Sequence, residues 1–165
     1  MARIPRQQLL AYEELDSAQD LTTAEQAAWQ AARDATAHAY APYSGFHVGA
    51  ALLLADGTLF SGSNQENAAY PSGLCAERTA LFGLAAGWPG HAPIVGMAVA
   101  ARPAAGDFGM AFPCGACRQV MLEYETRQGE SIPLLLPSRT GTILRFPSLA
   151  SLMPFNFSAD DLPPA

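Results

Sequence analysis

Residues 46 to 101 decide the fold: FHVGAALLLADGTLFSGS (46–63), then LCAERTALFGLAA (74–86), then IVGMAVAA (94–101). Phe46 to Leu54 is apolar enough for a buried strand, Asp56-Gly57 is a two-residue turn signal, and Thr58 to Ser63 reads as the returning strand of a hairpin. Leu74 to Ala86 has helix-forming composition. Gly87 to Pro93 is a turn region, and Ile94 to Ala101 is a short buried strand of the kind a helix crossover feeds. The hairpin thus leads into βαβ logic.

Upstream, Thr22-Thr23-Ala24-Glu25-Gln26 carries a Ser/Thr-x-x-Glu/Gln capping pattern. An alanine-rich helix with Trp29 is expected from there toward Tyr40, ended by Pro42. Residues 1–20 lack a clean period of 2 or 3.6 and are set apart as an N-terminal extension. Downstream, Arg102 to Phe112 reads as a loop, and Pro113 opens a helix over Cys114 to Arg127. Ile132 to Leu136 and Thr142 to Phe146 read as two last strands around a Ser138 to Gly141 turn, and Leu162 to Ala165 as a loose end. Three helices and about five strands in this order predict a three-layer α/β/α sandwich with a mixed sheet, one domain over 21–165.

The length of 165 residues suits one domain, and 50% hydrophobic against 15% charged residues excludes disorder driven by charge. Fifteen acids outweigh nine basic residues, all arginine and scattered, for a net charge of −6. That balance repels phosphate backbones and argues against nucleic acid as a partner. The longest apolar runs, Val48 to Ala55 and Pro93 to Ala101, are about half the ~18 residues of a membrane span. No apolar segment of signal-peptide type follows Met1, so a soluble, cytoplasmic protein is expected.

Three cysteines cannot all pair as disulfides, and Cys114 and Cys117 form a C-x-x-C. Cys75 and Cys114 each stand at the start of a predicted helix, where free N–H groups and the helix dipole favour thiolate. Three thiolates converging on one cation suit zinc. Three protein ligands leave a fourth corner for water, whose pKa a metal lowers from ~16 toward ~7. Glu77, two residues after Cys75, can face that corner without being a ligand and move a proton. Arg78 can offset the excess sulfur charge by donating hydrogen bonds to the thiolates.

The pairing of Cys75-Ala76-Glu77 with Pro113-Cys114-x-x-Cys117 resembles the zinc deaminase signature. Tyr43-Ser44-Gly45-Phe46-His47-Val48-Gly49-Ala50-Ala51, Asn64-Gln65-Glu66-Asn67, Tyr70-Pro71 and Gly73 to Ala80 resemble the small cytidine deaminases, in the same order. The resemblance covers roughly Ala32 to Leu162. It implies that Cys75, Cys114 and Cys117 bind one zinc ion per subunit and that Glu77 is the proton shuttle. It further implies that Asn64 and Glu66 hold the ribose 3'-hydroxyl, that Phe46 packs on the pyrimidine, and that the Ala76 backbone helps read the ring edge. Tyr70 and Phe157 resemble residues that reach a neighbouring subunit's pocket, and the family's small form is a homotetramer with shared active sites. Two departures stand out: Phe112 where family members commonly have serine, and His47 where a proline is more usual.

The reaction implied is hydrolysis of cytidine and 2'-deoxycytidine to the uridine nucleosides and ammonia, as in pyrimidine salvage. The alternatives are a deaminase of a modified cytosine nucleoside and a non-catalytic, zinc-stabilised binding module. A closed zinc knot would need a fourth protein ligand, and His38, His47 and His91 all lie far from the cysteines in sequence. Without the cysteines, Glu77 would read as an ordinary first-turn helix acid.

Overall fold

The computed structural model describes residues 4–163. The expected α/β/α sandwich is found, with one more strand than the sequence suggests. The elements are β1 (Glu13–Leu15), α1 (Thr23–Ala35), β2 (Phe46–Leu54), β3 (Leu59–Ser63), α2 (Ala76–Gly87), β4 (Ile94–Pro103), α3 (Gly115–Gln128), β5 (Leu134–Pro137) and β6 (Ile143–Phe146). They build a six-stranded sheet in the order β1-β6-β5-β4-β2-β3. Only β4 and β5 pair in parallel, as the two strands of a true βαβ unit around α3, and the other neighbours are antiparallel.

The extra strand is β1, in the N-terminal stretch that has no period of its own. Three residues are too few to show alternation, and β1 is held by distant partners instead. It pairs with β6, and Arg145 on β6 bridges Glu13 of β1 at 2.9 Å and Glu25 of α1 at 2.8 Å. The expected capping box opens α1: the Thr22 hydroxyl accepts from the Glu25 N–H at 3.3 Å, and the Glu25 carboxylate accepts from the Thr22 N–H at 2.9 Å.

The helix stops at Ala35, short of the expected run toward Tyr40. The Thr36 hydroxyl donates back to the Arg33 carbonyl at 2.7 Å, a single 3-10 turn follows over Thr36–His38, and Ala39 is already extended. Pro42 therefore acts too late to be the terminator. Of the loose end expected at 162–165, residues 164 and 165 lie outside the described residues.

The period of 2 in the strands sorts the core into two halves. Ala50, Leu52 and Leu54 of β2 with Met97, Val99 and Ala101 of β4 pack against Ala80, Leu81, Leu84 and Met121 of α2 and α3. The intervening Ala51, Leu53, Ala98 and Ala100 pack against Ala28, Trp29 and Ala32 of α1. Phe46 and Val48 share the parity of Ala50 and so face the α2/α3 side. His47 faces the other way, where its Nδ1 lies 3.2 Å from the Thr36 carbonyl. The departure at position 47 is thus on the opposite side of the sheet from α2 and α3. Gly62 of β3 lets α2 come close, because a Cβ there would run into the backbone of Ala80.

Glu125 anchors the C-terminal segment to α3. It is 8% exposed, and its carboxyl group accepts the N–H groups of Ile132 (2.7 Å), Leu149 (2.8 Å) and Ala150 (3.0 Å) and the Ser148 hydroxyl (2.6 Å). Glu125→Ala leaves these donors without an acceptor and is expected to cost about 3–5 kcal/mol, with Glu125→Gln losing less. Urea unfolding measures this, and an unchanged midpoint for the alanine variant would show that water replaces the carboxyl group without penalty.

Candidate active site

Two helix starts bring the sulfurs together. Cys75 precedes α2 and Cys114 precedes α3, both in extended conformation (φ −73°, ψ 156° and φ −68°, ψ 167°), and neither side chain is used as a helix cap. Cys117, in the first turn of α3, points back toward the helix N-terminus as helical side chains do. The three Sγ atoms lie within 4.8 Å of one another, with Cys75 and Cys114 at 3.9 Å. Cys117 is buried, Cys75 half-buried and Cys114 exposed, so the cluster opens on one side.

The sulfurs influence one another. A hydrogen bond from the Cys117 thiol, with help from Arg78 and Cys114 and against the effect of burial, lowers the Cys75 pKa to about 5. Cys117 moves the opposite way, because it keeps the proton it shares with Cys75 and because it is buried. Arg78 Nη2 lies 3.9 Å from Cys75 Sγ.

Glu77 is 4% exposed, and its Oε2 has no hydrogen-bond partner. Burial raises its pKa above the usual carboxylate range, and the negative Cys75 adds to that effect. A carboxylate that is buried and unpartnered costs stability. Its position beside three free thiols gives it a use, since such a group is ready to take a proton from whatever occupies the open side of the cluster.

The donor set fits zinc. A tetrahedral site with Zn–S of about 2.3 Å spaces its sulfurs about 3.8 Å apart, so small side-chain adjustments close this cluster on one ion. Among the described residues, this is the only group of three or more His, Cys, Asp or Glu arranged to hold a metal.

A cleft of about 590 Å³ leads to the cluster, lined by Phe46, Asn64, Glu66, Tyr70, Cys75, Glu77, Arg78 and Cys114 among others. Val48, Val99, Met110 and Ala111 add an apolar wall that sequence reasoning did not single out. Parity along β2 and β4 could have found Val48 and Val99. Phe112, the other departure, also lines the cleft and is 44% exposed.

Asn64 follows β3 and is nearly buried. Its Oδ1 accepts the Val48 N–H at 2.8 Å and its Nδ2 donates to the Phe46 carbonyl at 2.9 Å, which leaves one N–H uncommitted. Glu66 accepts the N–H groups of Tyr43 (2.9 Å) and Ser44 (3.3 Å) and the Ser44 hydroxyl. These bonds, the Ser44 hydroxyl first, hold its carboxyl below the usual range.

Ala76 is the first residue of α2, with its side chain buried against the sheet. N–H groups in a first helical turn have no acceptor within the helix. Tyr70 stands at the cleft rim, 75% exposed and edge-on to Tyr43 at 6.0 Å between ring centres. Phe157 is not brought into this cleft. It is 57% exposed, and its carbonyl accepts from Gln119 Nε2 at 2.8 Å. Arg118 braces the loop before α3 by donating to the Pro113 carbonyl at 2.8 Å.

A three-sulfur site at the starts of two helices, open to a cleft and flanked by a buried acid, defines a zinc-dependent hydrolytic enzyme on an α/β/α scaffold. Residues 22–129 match the family described as the cytidine and deoxycytidylate deaminase zinc-binding region. The chain is 42% identical over 130 residues to a cytidine deaminase of Sporosarcina psychrophila, covering 79% of this chain and 88% of that one. It is 38% identical over 132 residues to the cytidine deaminase of Mycobacterium tuberculosis, covering 80% and 88%. The crystal structure of a cytidine deaminase from Burkholderia pseudomallei superposes with a TM-score of 0.66 at 42% identity, covering 83% of this chain and all of the other. This chain belongs to the cytidine and deoxycytidylate deaminase family, and its three cysteines are arranged so that they could hold one metal ion. Among the described residues, no helix is long and apolar enough to cross a membrane.

Proposed function

We propose that the protein hydrolyses cytidine and 2'-deoxycytidine to uridine and 2'-deoxyuridine with release of ammonia, a step of pyrimidine salvage. The observation that carries this reading is the buried Glu77 carboxyl group, with one oxygen unpartnered, at the end of a nucleoside-sized cleft, beside three cysteines able to hold one zinc ion. Zinc, when bound, supplies a Lewis acid that makes water a nucleophile near neutral pH. Glu77 accepts a proton from the attacking water and delivers it to ring N3, which makes C4 more electrophilic. As the tetrahedral centre at C4 collapses, Glu77 takes the second water proton from the new C4 hydroxyl and passes it to the departing amine, so that the C4–N bond breaks, the C4 carbonyl forms, and one water is consumed for one ammonia released. Cys75, Cys114 and Cys117 hold the metal, and Arg78 tempers the charge of the sulfurs.

The remaining assignments follow the cleft outward. Phe46 packs against the pyrimidine and the Ala76 backbone reads its edge. The free N–H of Asn64 donates to the sugar 3'-hydroxyl, which in turn donates to Glu66. Residues 21–165 form the deaminase domain, a division supported by a family match that begins at residue 22, and residues 1–20 form an extension whose strand β1 joins the edge of the domain's sheet. The working form is a cytoplasmic homotetramer in which Tyr70 and Phe157 reach a neighbour's site. Their exposure, 75% and 57%, supports this, and sedimentation of the purified protein tests it.

Loss of cytidine absorbance on mixing with the zinc-loaded protein tests the reaction. Initial rates on cytidine, 2'-deoxycytidine, cytosine and CMP define the substrate class. The two nucleosides should react fastest, and an inert protein would reduce the site to a structural zinc centre.

A further inference from the structure

The part of the cleft wall that carries Asn64 and Glu66 is zipped by backbone hydrogen bonds to the segment at Tyr40. The Tyr40 N–H donates to the Asn64 carbonyl at 3.0 Å and the Glu66 N–H to the Tyr40 carbonyl at 2.8 Å. Between Tyr40 and β2 the chain makes a tight turn closed by Gly45, whose φ of +63° suits glycine, and the Gly45 N–H bonds the Ala41 carbonyl at 3.0 Å. This turn presents the N–H groups of Tyr43 and Ser44 to one oxygen of Glu66, Oε2. Among the described residues, the other oxygen, Oε1, accepts from the Ser44 hydroxyl alone.

A hydroxyl has one proton to give. The Phe46 N–H donates to Ser44 Oγ at 3.0 Å, which fixes the lone pairs and directs that proton to Glu66 Oε1. We propose that Ser44 is a positioning residue for sugar recognition: one oxygen atom couples the backbone carrying the Phe46 ring to the acid that receives the sugar hydroxyl. The proposal rests on the deaminase reading above. Without the Ser44 hydroxyl, the two N–H bonds on Oε2 still hold the carboxylate, but it pivots about that oxygen and Oε1 loses its fixed direction. Oε1 retains a lone pair beyond the Ser44 contact, and this is where the 3'-hydroxyl donates.

The test compares Ser44→Ala with the wild type on 2'-deoxycytidine and on 2',3'-dideoxycytidine, which lacks the hydroxyl in question. Ser44→Ala is expected to lower kcat/KM about tenfold on 2'-deoxycytidine, through KM, because a hydrogen bond to a charged group is misaligned. On the dideoxy substrate the change is expected to be less than about twofold, and Ser44→Thr should restore the preference for the hydroxyl. Equal losses on both substrates would assign Ser44 to general support of the turn and overturn the proposal, as would no loss on either. If Ser44→Ala does not fold, Ser44→Cys carries the same comparison, since a thiol fills the space but donates weakly. A wild-type protein inert on cytidine removes the deaminase reading itself, an outcome distinct from an active wild type whose Ser44 variants fail to discriminate.

Discussion

Glu77→Gln is expected to keep zinc at one equivalent per chain while turnover of cytidine falls by about 100- to 10,000-fold, the usual worth of a positioned acid–base group. The amide fills the same space but cannot carry a proton from water to the base. Its effect on stability should run opposite to its effect on activity. Glu77 is 4% exposed with an unpartnered oxygen, and burial raises its pKa above the ordinary carboxylate value. A carboxyl group whose folded pKa is raised binds more protons folded than unfolded between the two pKa values. Its contribution therefore falls as pH rises through that window and stays unfavourable above it. Metal-free Glu77→Gln should accordingly melt higher than metal-free wild type at pH 7, and the gap should close as pH drops below the unfolded value. Near-normal turnover, or a variant that melts lower than the wild type, would show that Glu77 is a structural acid.

The second large effect is loss of the metal. Cys117 is fully buried, so Cys117→Ser places a weaker, protonated donor where no water can substitute for sulfur. Zinc measured by atomic emission should fall well below one equivalent per chain, and deamination should fall with it. At a free zinc concentration near 1,000 times its Kd, the ion contributes about 4 kcal/mol, or roughly 10 °C in Tm for a chain of this size. Wild type treated with a chelator and untreated Cys117→Ser should melt close together, because both lack the same ligand-to-metal bonds. Full retention of zinc by the variant would place the ion elsewhere.

What could be read without the structure was whatever is written in neighbouring residues. The Asp56-Gly57 hairpin, the Thr22–Glu25 box and the helix starts at Cys75 and Cys114 are local patterns, and each is found at its expected place. What escaped is built from contacts between distant positions. β1 exists because β6 pairs with it and Arg145 binds Glu13 across 132 positions. Glu125 reads as one more acid on a polar helix, since nothing local shows three N–H groups from later segments converging on it.

The site shows the same division. Each motif was visible with its residues, but Asn64 proved to be engaged with the backbone of β2, and Phe157 lies outside the cleft of its own chain. Ser44, inside a quoted motif, carried no role until the structure joined it to Glu66 and Phe46.

The alternation of the sheet's two faces has an evolutionary consequence. The residues given a part in the chemistry lie on the side of α2 and α3 or along its rim, and none is among the side chains packed under Trp29 and α1. Adaptation to heat or cold can therefore be worked out around α1, by altered volume or tighter interlocking, with no retuning of turnover. That half of the molecule is free of the compromise between robustness and rate that constrains most enzyme interiors.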